Sequence, residues 1–462
     1  MKQELYSQYF KDKRVTKMGF GPNGRSYGDI LFLLQQGAHV LVTDYRDADD
    51  IHASRDKLIS ELTEEQKERI SFVLGEHRVK DFTDCDYVLK ASGVPLDSEY
   101  IAASVEAGVP VHTSSAWLFE IVAELLKVTT IGVTGTKGKS TVTDMIEHVL
   151  KANNKSYHVA GNVRGVANLP VLAEIESEDV LLAELDSWQL QGFGAARISP
   201  QISVFTNFFE DHLNYYKGSM EQYFKDKSYI YTNQGDLDIC FAGKQAYEQI
   251  GIYEQATPES IEDISSALLP QDLELQVLGE HNRENAAFAY VVSQQLGLTK
   301  DEIVSALVTY KPMEGRLRTV GEHQGVIYYD DNNSTTPTST QKSLEAIKAE
   351  HPDSRVLWLG GGADKEFDYT DFGSALPTLV NEGILFAGPA TKKIVTALGD
   401  NELKDKLIIV NSMKEAWQHI DVIKQKGDVV ILSPGAASFG VFLNEYDRGD
   451  QYNDHVKKLL NK

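Results

Sequence analysis

Short apolar runs alternate with longer stretches of helical periodicity along the whole chain, and glycines punctuate many of the joins. A continuous run of a few apolar residues marks a strand buried on both faces, whereas apolar residues spaced three and four apart mark a helix with one buried stripe. On this basis residues 15–18, 40–44, 87–89 and 109–111 read as strands, and 31–36 and 101–107 as helices stopped by Gly37 and Gly108. A second set of strands is expected at 130–133, 180–184 and 202–206, with helices over 142–150 and 285–296. A third set follows at 326–329, 356–359, 384–387, 407–410 and 429–432. Strand and helix alternating throughout predict an α/β fold of parallel sheets covered by helices.

These sets divide the chain into expected domains at 1–126, 127–314 and 315–462, and a length of 462 residues suits three such domains. No apolar run approaches the ~20 residues of a membrane span. The segment Met1-Lys2-Gln3-Glu4-Leu5 lacks the apolar stretch of a signal peptide. A cytosolic protein is expected. The 68 acidic against 45 basic residues leave a net charge of −23, which argues against general nucleic-acid binding but allows local lysines around a phosphate. Two distant cysteines, Cys85 and Cys240, do not make a zinc site, and a disulfide between them is unneeded in a chain this long.

The strongest chemical signal is Thr134-Gly135-Thr136-Lys137-Gly138-Lys139-Ser140-Thr141, between an apolar strand and a helix. Such a turn aims backbone N–H groups and the positive end of a helix at an anion. Lys139 is placed for the terminal phosphates of a nucleoside triphosphate and the Ser140 hydroxyl for Mg²⁺. Val133 stands where the general pattern has a further glycine. In the first block, Gly19-Phe20-Gly21-Pro22-Asn23-Gly24 fits GxGxxG, with Asp44 about 20 residues on at the end of the next strand, as in Rossmann-type sites. A dinucleotide, another nucleotide or a purely structural turn all remain open there. Two phosphate-type turns favour a nucleotide-linked substrate beside the triphosphate. In the second block Glu184 ends a strand and suits Mg²⁺, which prefers oxygen ligands; His212, in Glu210-Asp211-His212, is a less typical ligand or a loop histidine.

Seven segments together resemble the muramyl ligases of bacterial cell-wall synthesis: TGTKGKST at 134–141, GNVRG at 161–165, ELDSWQL at 184–190, EDHLN at 210–214, HNREN at 281–285, SPGAASFG at 433–440 and NEYDRGD at 444–450. The resemblance runs the length of the chain in order. It implies a Rossmann-like UDP-binding domain, a central P-loop ATPase domain and a Rossmann-like amino-acid-binding domain. It also implies an ATP-dependent amide ligase, most similar to the branch that joins D-glutamate to UDP-N-acetylmuramoyl-L-alanine, acting as a monomer. Gly135, Thr136, Lys137, Gly138, Lys139, Ser140 and Thr141 would hold ATP, with Asn282 and Asn285 on the adenine side, Arg316 on the phosphates and Asp331 on the ribose. Two Mg²⁺ ions would lie among Ser140, Glu184, His212 and a carbamylated Lys227, whose plain reading is a solvated helix lysine. Lys139, Glu184, His212 and Lys227 would form the catalytic set. Asn23, Asp44, Arg46, Ser92, Gly93, Asn162 and Ser187 would bind the nucleotide substrate, and Thr335, Lys365 and Ser438 the amino acid.

The sequence departs from that family in places. Ala91-Ser92-Gly93-Val94-Pro95 and Ser114-Ser115-Ala116-Trp117 are divergent, and Asn333 replaces a lysine expected to pair with a carboxylate of D-glutamate. A sister ligase adding another amino acid, or a folylpolyglutamate-like enzyme, is the nearest alternative. An NAD-dependent oxidoreductase built on the first block would leave TGTKGKST unexplained. A non-catalytic ATP-binding subunit would leave Glu184, His212 and Lys227 unexplained.

Overall fold

The computed structural model describes residues 2–20, 25–47, 49–95, 97–256 and 258–461. Among the described residues, seventeen strands lie in three sheets. The first contains β1 (Arg14–Met18), β2 (His39–Asp44), β3 (Ile70–Leu74), β4 (Tyr87–Lys90) and β5 (Val111–His112), in the order β3-β2-β1-β4-β5, all parallel. The second contains β6 (Thr129–Thr134), β7 (Tyr157–Gly161), β8 (Val180–Glu184), β9 (Ile202–Phe205), β10 (Ile239–Gly243) and β11 (Ile261–Ile264). Its order, β11-β10-β9-β6-β8-β7, is also all parallel.

The third sheet holds β12 (Arg318–His323), β13 (Val326–Asp330), β14 (Val356–Gly361), β15 (Glu382–Phe386), β16 (Leu407–Val410) and β17 (Val429–Leu432), ordered β12-β13-β17-β14-β15-β16. Here the expectation of purely parallel strands fails. β12 pairs antiparallel with β13 across a two-residue turn, Gln324-Gly325, in which both residues have positive φ. Period-two burial shows on this sheet directly. Tyr329, Val356, Trp358 and Ile431 enter one core, and Tyr328, Leu357, Leu359 and Leu432 the other.

Contacts group the chain into two compact units, one of residues 1–268 and 287–303, the other of 269–286 and 304–462. The first two sheets therefore share a unit. Residues 269–286 and 304–314, at the end of the expected second block, fold with the C-terminal unit. Both cysteines are free, Cys240 fully buried. No helix among the described residues is long and apolar enough to cross a membrane.

Candidate functional site

β6 leads into the phosphate loop at the point where strand order reverses: β7 and β8 lie on one side of β6 and β9 to β11 on the other. That crevice, at the carboxyl ends of parallel strands, is where open α/β sheets bind ligands. Gly135 has φ 143°, and a Cβ there would strike the Thr206 hydroxyl, so only glycine fits. Gly138, at φ 86°, caps the helix Lys139–Ala152. The loop is braced from the end of β9. Thr136 N–H donates to Asn207 O at 2.8 Å and Lys137 N–H to Asn207 Oδ1 at 2.8 Å, while Thr206 Oγ1 donates to Lys137 O at 2.5 Å. Sequence reading missed this brace, whose only trace is a polar Thr-Asn pair ending an apolar strand. Thr141 is buried behind the loop, while Lys137, Gly138, Lys139 and Ser140 are half-buried at its mouth.

Two lysines converge on one acceptor. Lys139 Nζ donates to Gly135 O at 3.0 Å and to Thr136 O at 3.2 Å. Lys227 Nζ donates to the same Gly135 O at 2.8 Å and lies 5.1 Å from the centre of the Tyr223 ring. Lys227 is 2% exposed, which overturns its plain reading as a solvated helix lysine. Burial, then repulsion from Lys139, holds its amine well below the ordinary lysine range, against the pull of Asp186, Asp211 and Glu184. A cleft that brings two lysine amines onto one neutral carbonyl suits added negative charge. ATP and Mg²⁺ chemistry fit this donor set: glycine-exposed backbone, two lysines, the Ser140 hydroxyl and the buried Glu184 carboxylate.

Glu184 is 5% exposed at the end of β8. Gly161 packs on its carbonyl, where any Cβ would clash, and Asn162 N–H donates to that carbonyl at 2.6 Å. Ser187, 2% exposed, opens the next helix behind its cap, Asp186, whose side chain accepts from Gln189 N–H at 2.8 Å. His212 has φ 55° and a side chain 40% exposed, its ring 4.8 Å from that of Trp188. Asp211, beside it, pairs with Lys137 at 3.4 Å. The structure thus gathers the phosphate loop, Glu184 and Lys227 at the carboxyl edge of one sheet, with His212 on a neighbouring loop.

In the first sheet, Asn23 lies outside the described residues. Asp44 is already engaged: Arg46 reaches Oδ2 at 2.9 Å through Nη2 and Oδ1 at 3.0 Å through Nε, and Phe20 N–H donates to Oδ2 at 2.9 Å. Burial would raise this carboxyl, but the Arg46 side chain and the backbone donors outweigh it and hold the group at about 2. Ser92 O and Val94 O accept from the buried Lys90 at 3.2 and 3.0 Å, and Gly93 is exposed.

In the C-terminal unit, Asn282 and Asn285 are 7% and 8% exposed, and Asn285 Nδ2 donates to Asn282 Oδ1 at 3.1 Å. Arg316 is half-buried. Asp331, after β13, accepts from Ser433 Oγ at 2.6 Å and from Leu317 N–H at 3.1 Å; burial pushes its carboxyl up to about 6. The loops after β13, β14 and β17 are stitched together by Gly435 N–H to Ser334 O at 2.9 Å and by Ala363 N–H to Ala437 O at 2.9 Å. Thr335 and Ser438 sit on those loops, half-buried and buried, while Lys365 is exposed. Asn333 packs on Gly315.

Arg448 was not foreseen. It is fully buried and donates to Asn332 Oδ1 at 2.7 Å, Asn332 O at 3.1 Å and Ala436 O at 3.2 Å, all neutral oxygens. Burial lowers its guanidinium to about 10.

Residues 133–260 match the family model described as the Mur ligase middle domain, and 315–435 that of the Mur ligase glutamate ligase domain. The UDP-N-acetylmuramoylalanine--D-glutamate ligase of Borreliella burgdorferi (strain ZS7) is 31% identical to the chain, covering 97% of this chain and 98% of its own. The protein of that name from Roseiflexus sp. (strain RS-1) is 32% identical, covering 97% and 99%. Among solved structures, MurF ligase from Thermotoga maritima in complex with ADP superposes with a TM-score of 0.61 at 17% identity, over 99% of this chain and 97% of that one. UDP-N-acetylmuramate-alanine ligase MurC from Thermotoga maritima gives 0.60 at 19%, over 96% and 99%.

Proposed function

The chain belongs to the Mur ligase family, and from that premise we propose that it joins D-glutamate to UDP-N-acetylmuramoyl-L-alanine by ATP-dependent amide ligation in peptidoglycan precursor synthesis. The observation that carries the reading is the convergence of Lys139 and Lys227 on the carbonyl of Gly135, at a glycine turn opening a helix. A carboxylate is a poor electrophile until one of its oxygens leaves as phosphate. Transfer of the γ-phosphoryl group to the alanyl carboxylate gives an acyl phosphate. The D-glutamate amine attacks its carbonyl carbon, and the tetrahedral adduct expels inorganic phosphate as the amide forms.

Each residue has a physical task in that sequence. The N–H groups of Gly135 and of the helix start at 138–141, with the Lys139 ammonium, neutralise the phosphates as they approach an anionic acceptor, while the Thr136 and Lys137 N–H groups are held by Asn207. Ser140, Glu184, His212 and Lys227 would hold Mg²⁺, which supplies further positive charge between phosphate and carboxylate. Lys227 suits carbamylation because its buried amine sheds its proton readily. The neutral nitrogen forms a bond to the carbon of CO₂, releases a proton and becomes an oxygen anion of the type Mg²⁺ prefers. Asp44, Arg46, Ser92, Gly93, Asn162 and Ser187 serve the nucleotide substrate. Asn282, Asn285, Arg316 and Asp331 serve ATP, and Thr335, Lys365 and Ser438 the amino acid. The three sheets are read as UDP-binding, ATP-binding and amino-acid-binding parts within the expected domains 1–126, 127–314 and 315–462, although residues 269–286 and 304–314 fold with the C-terminal unit. The enzyme acts as a cytoplasmic monomer.

Phosphate release from ATP, with each nucleotide acceptor and amino acid supplied singly and together, tests the reading. Release should require UDP-N-acetylmuramoyl-L-alanine and be coupled to incorporation of D-glutamate. Faster incorporation of another amino acid would overturn the substrate assignment and leave the ATP chemistry standing.

A further inference from the structure

A buried carboxylate and a buried amine outside the phosphate loop lie between the first sheet and the loop that abuts Glu184. Lys17, near the end of β1, and Asp29, in the helix Arg25–Gln35, are each 3% exposed. Burial pushes the Lys17 ammonium down to about 8, while Asp29 and then Asp44 hold it up. Burial raises the Asp29 carboxyl, and hydrogen bonds from the neighbouring loop oppose that rise. Oδ1 accepts from Leu169 N–H at 2.9 Å, and the Ser114 hydroxyl and Asn168 N–H also face the group.

Asn168 carries the linkage onward. Its Nδ2 donates to Ser114 Oγ at 2.9 Å, and its Oδ1 accepts from Gly161 N–H at 2.6 Å. Gly161 rests on the Glu184 carbonyl, which also accepts Asn162 N–H at 2.6 Å. One residue before Asp29, Gly28 meets Ala167 so closely that no Cβ would fit between helix and loop. Backbone contact and buried charge therefore clamp residues 161–169 from the same side.

We propose that Asp29 is a positioning residue that fixes the 161–169 loop and so sets the place of Asn162 beside Glu184. The functional half of this inference rests on reading that loop as part of the ligation site; the structural half does not. A buried carboxylate accepting backbone N–H groups and a hydroxyl holds its loop more tightly than a neutral acceptor does, because those hydrogen bonds are charge-assisted. Loss of the clamp frees Asn162 in position without touching the phosphate loop.

Amide hydrogen exchange on the full chain provides a readout independent of turnover. In Asp29→Ala, exchange at Gly161, Asn162 and Leu169 should quicken by about tenfold or more, with the phosphate-loop helix unchanged. Asp29→Asn keeps an acceptor for Leu169 and should fall between Asp29→Ala and the native protein. In steady-state assays the KM for UDP-N-acetylmuramoyl-L-alanine should rise about fivefold or more in Asp29→Ala while that for ATP holds, with Asp29→Asn partly restored. Unchanged exchange in both variants overturns the clamp. Quickened exchange with KM values that do not move, or that move together, overturns its positioning role. If the native protein does not use that nucleotide, the reading of function has failed, and exchange alone decides whether the clamp exists.

Discussion

The phosphate loop after β6 and the stitched loops after β13, β14 and β17 both sit at the carboxyl edge of a sheet, yet they handle buried charge in opposite ways. At the first, Lys227 and Lys139 crowd one carbonyl, and burial drives the Lys227 amine toward neutrality. At the second, Arg448 is buried just as completely, but three neutral oxygens surround it and its guanidinium stays charged. The first cation is frustrated until something anionic arrives, whereas the second is satisfied and ties two loops together. A buried cation held by several fixed acceptors ties structure together; one crowded by a second cation suits an anionic ligand.

The sharpest break of this contrast is Lys227→Ala. Turnover should fall ~1,000-fold or more, with partial recovery when short carboxylic acids refill the oxygen-ligand position. An active alanine variant would remove Lys227 from the mechanism. Its companion Lys227→Met should melt higher than the native protein despite inactivity. The unfolded lysine holds its proton up to the ordinary range while the folded one does not, so folding carries a penalty that fades as pH rises through that window. Lys139→Ala comes next, with turnover down ~100-fold through loss of a charge-assisted phosphate contact worth about 2–4 kcal/mol; near-native rates would refute the phosphate-loop reading.

Arg448→Met should behave oppositely to Lys227→Met. It strands the oxygens of Asn332 and Ala436, so chemical denaturation should show a loss of about 2–4 kcal/mol. A rise in stability would place Arg448 with the frustrated cations. The smallest effect is expected at Asn333→Lys. Adding a charge-assisted contact where a neutral amide stands should lower the KM for D-glutamate by about 3- to 10-fold. No change would mean that the Asn333 position does not face the amino acid.

The phosphate loop was legible because strand, turn and helix are contiguous and each glycine answers a local backbone need. The strands that escaped sequence reading are mainly sheet edges. β3, β7, β11 and β12 each lie at one end of a sheet, where burial is partial, and in β11 and β12 charged residues also interrupt the apolar run, as in Ile261-Glu262-Asp263-Ile264. β10 is interior and was missed because its run is short and ends in glycine. In the sites, what escaped was long-range: Thr206 and Asn207 bracing a loop some 70 residues earlier, and Arg448 reaching Asn332 across 116 residues. The motif around Lys227 was legible only through the family resemblance, since nothing local in Lys225-Asp226-Lys227 distinguishes a buried amine from its solvated neighbour.

Burial beside Lys139 also makes Lys227 a selective nucleophile. Surface lysines at neutral pH are overwhelmingly ammonium ions with no lone pair to offer, whereas the amine beside Gly135 is pressed toward its free-base form. Cyanic acid, close to CO₂ in size, forms a urea with such an amine. That cap keeps the length of a carbamate and lacks its negative charge, so it would fill the metal-ligand position with a group that holds a metal poorly. The same electrostatic crowding that would suit this lysine to CO₂ would therefore also suit it to small electrophiles that surface ammonium groups ignore.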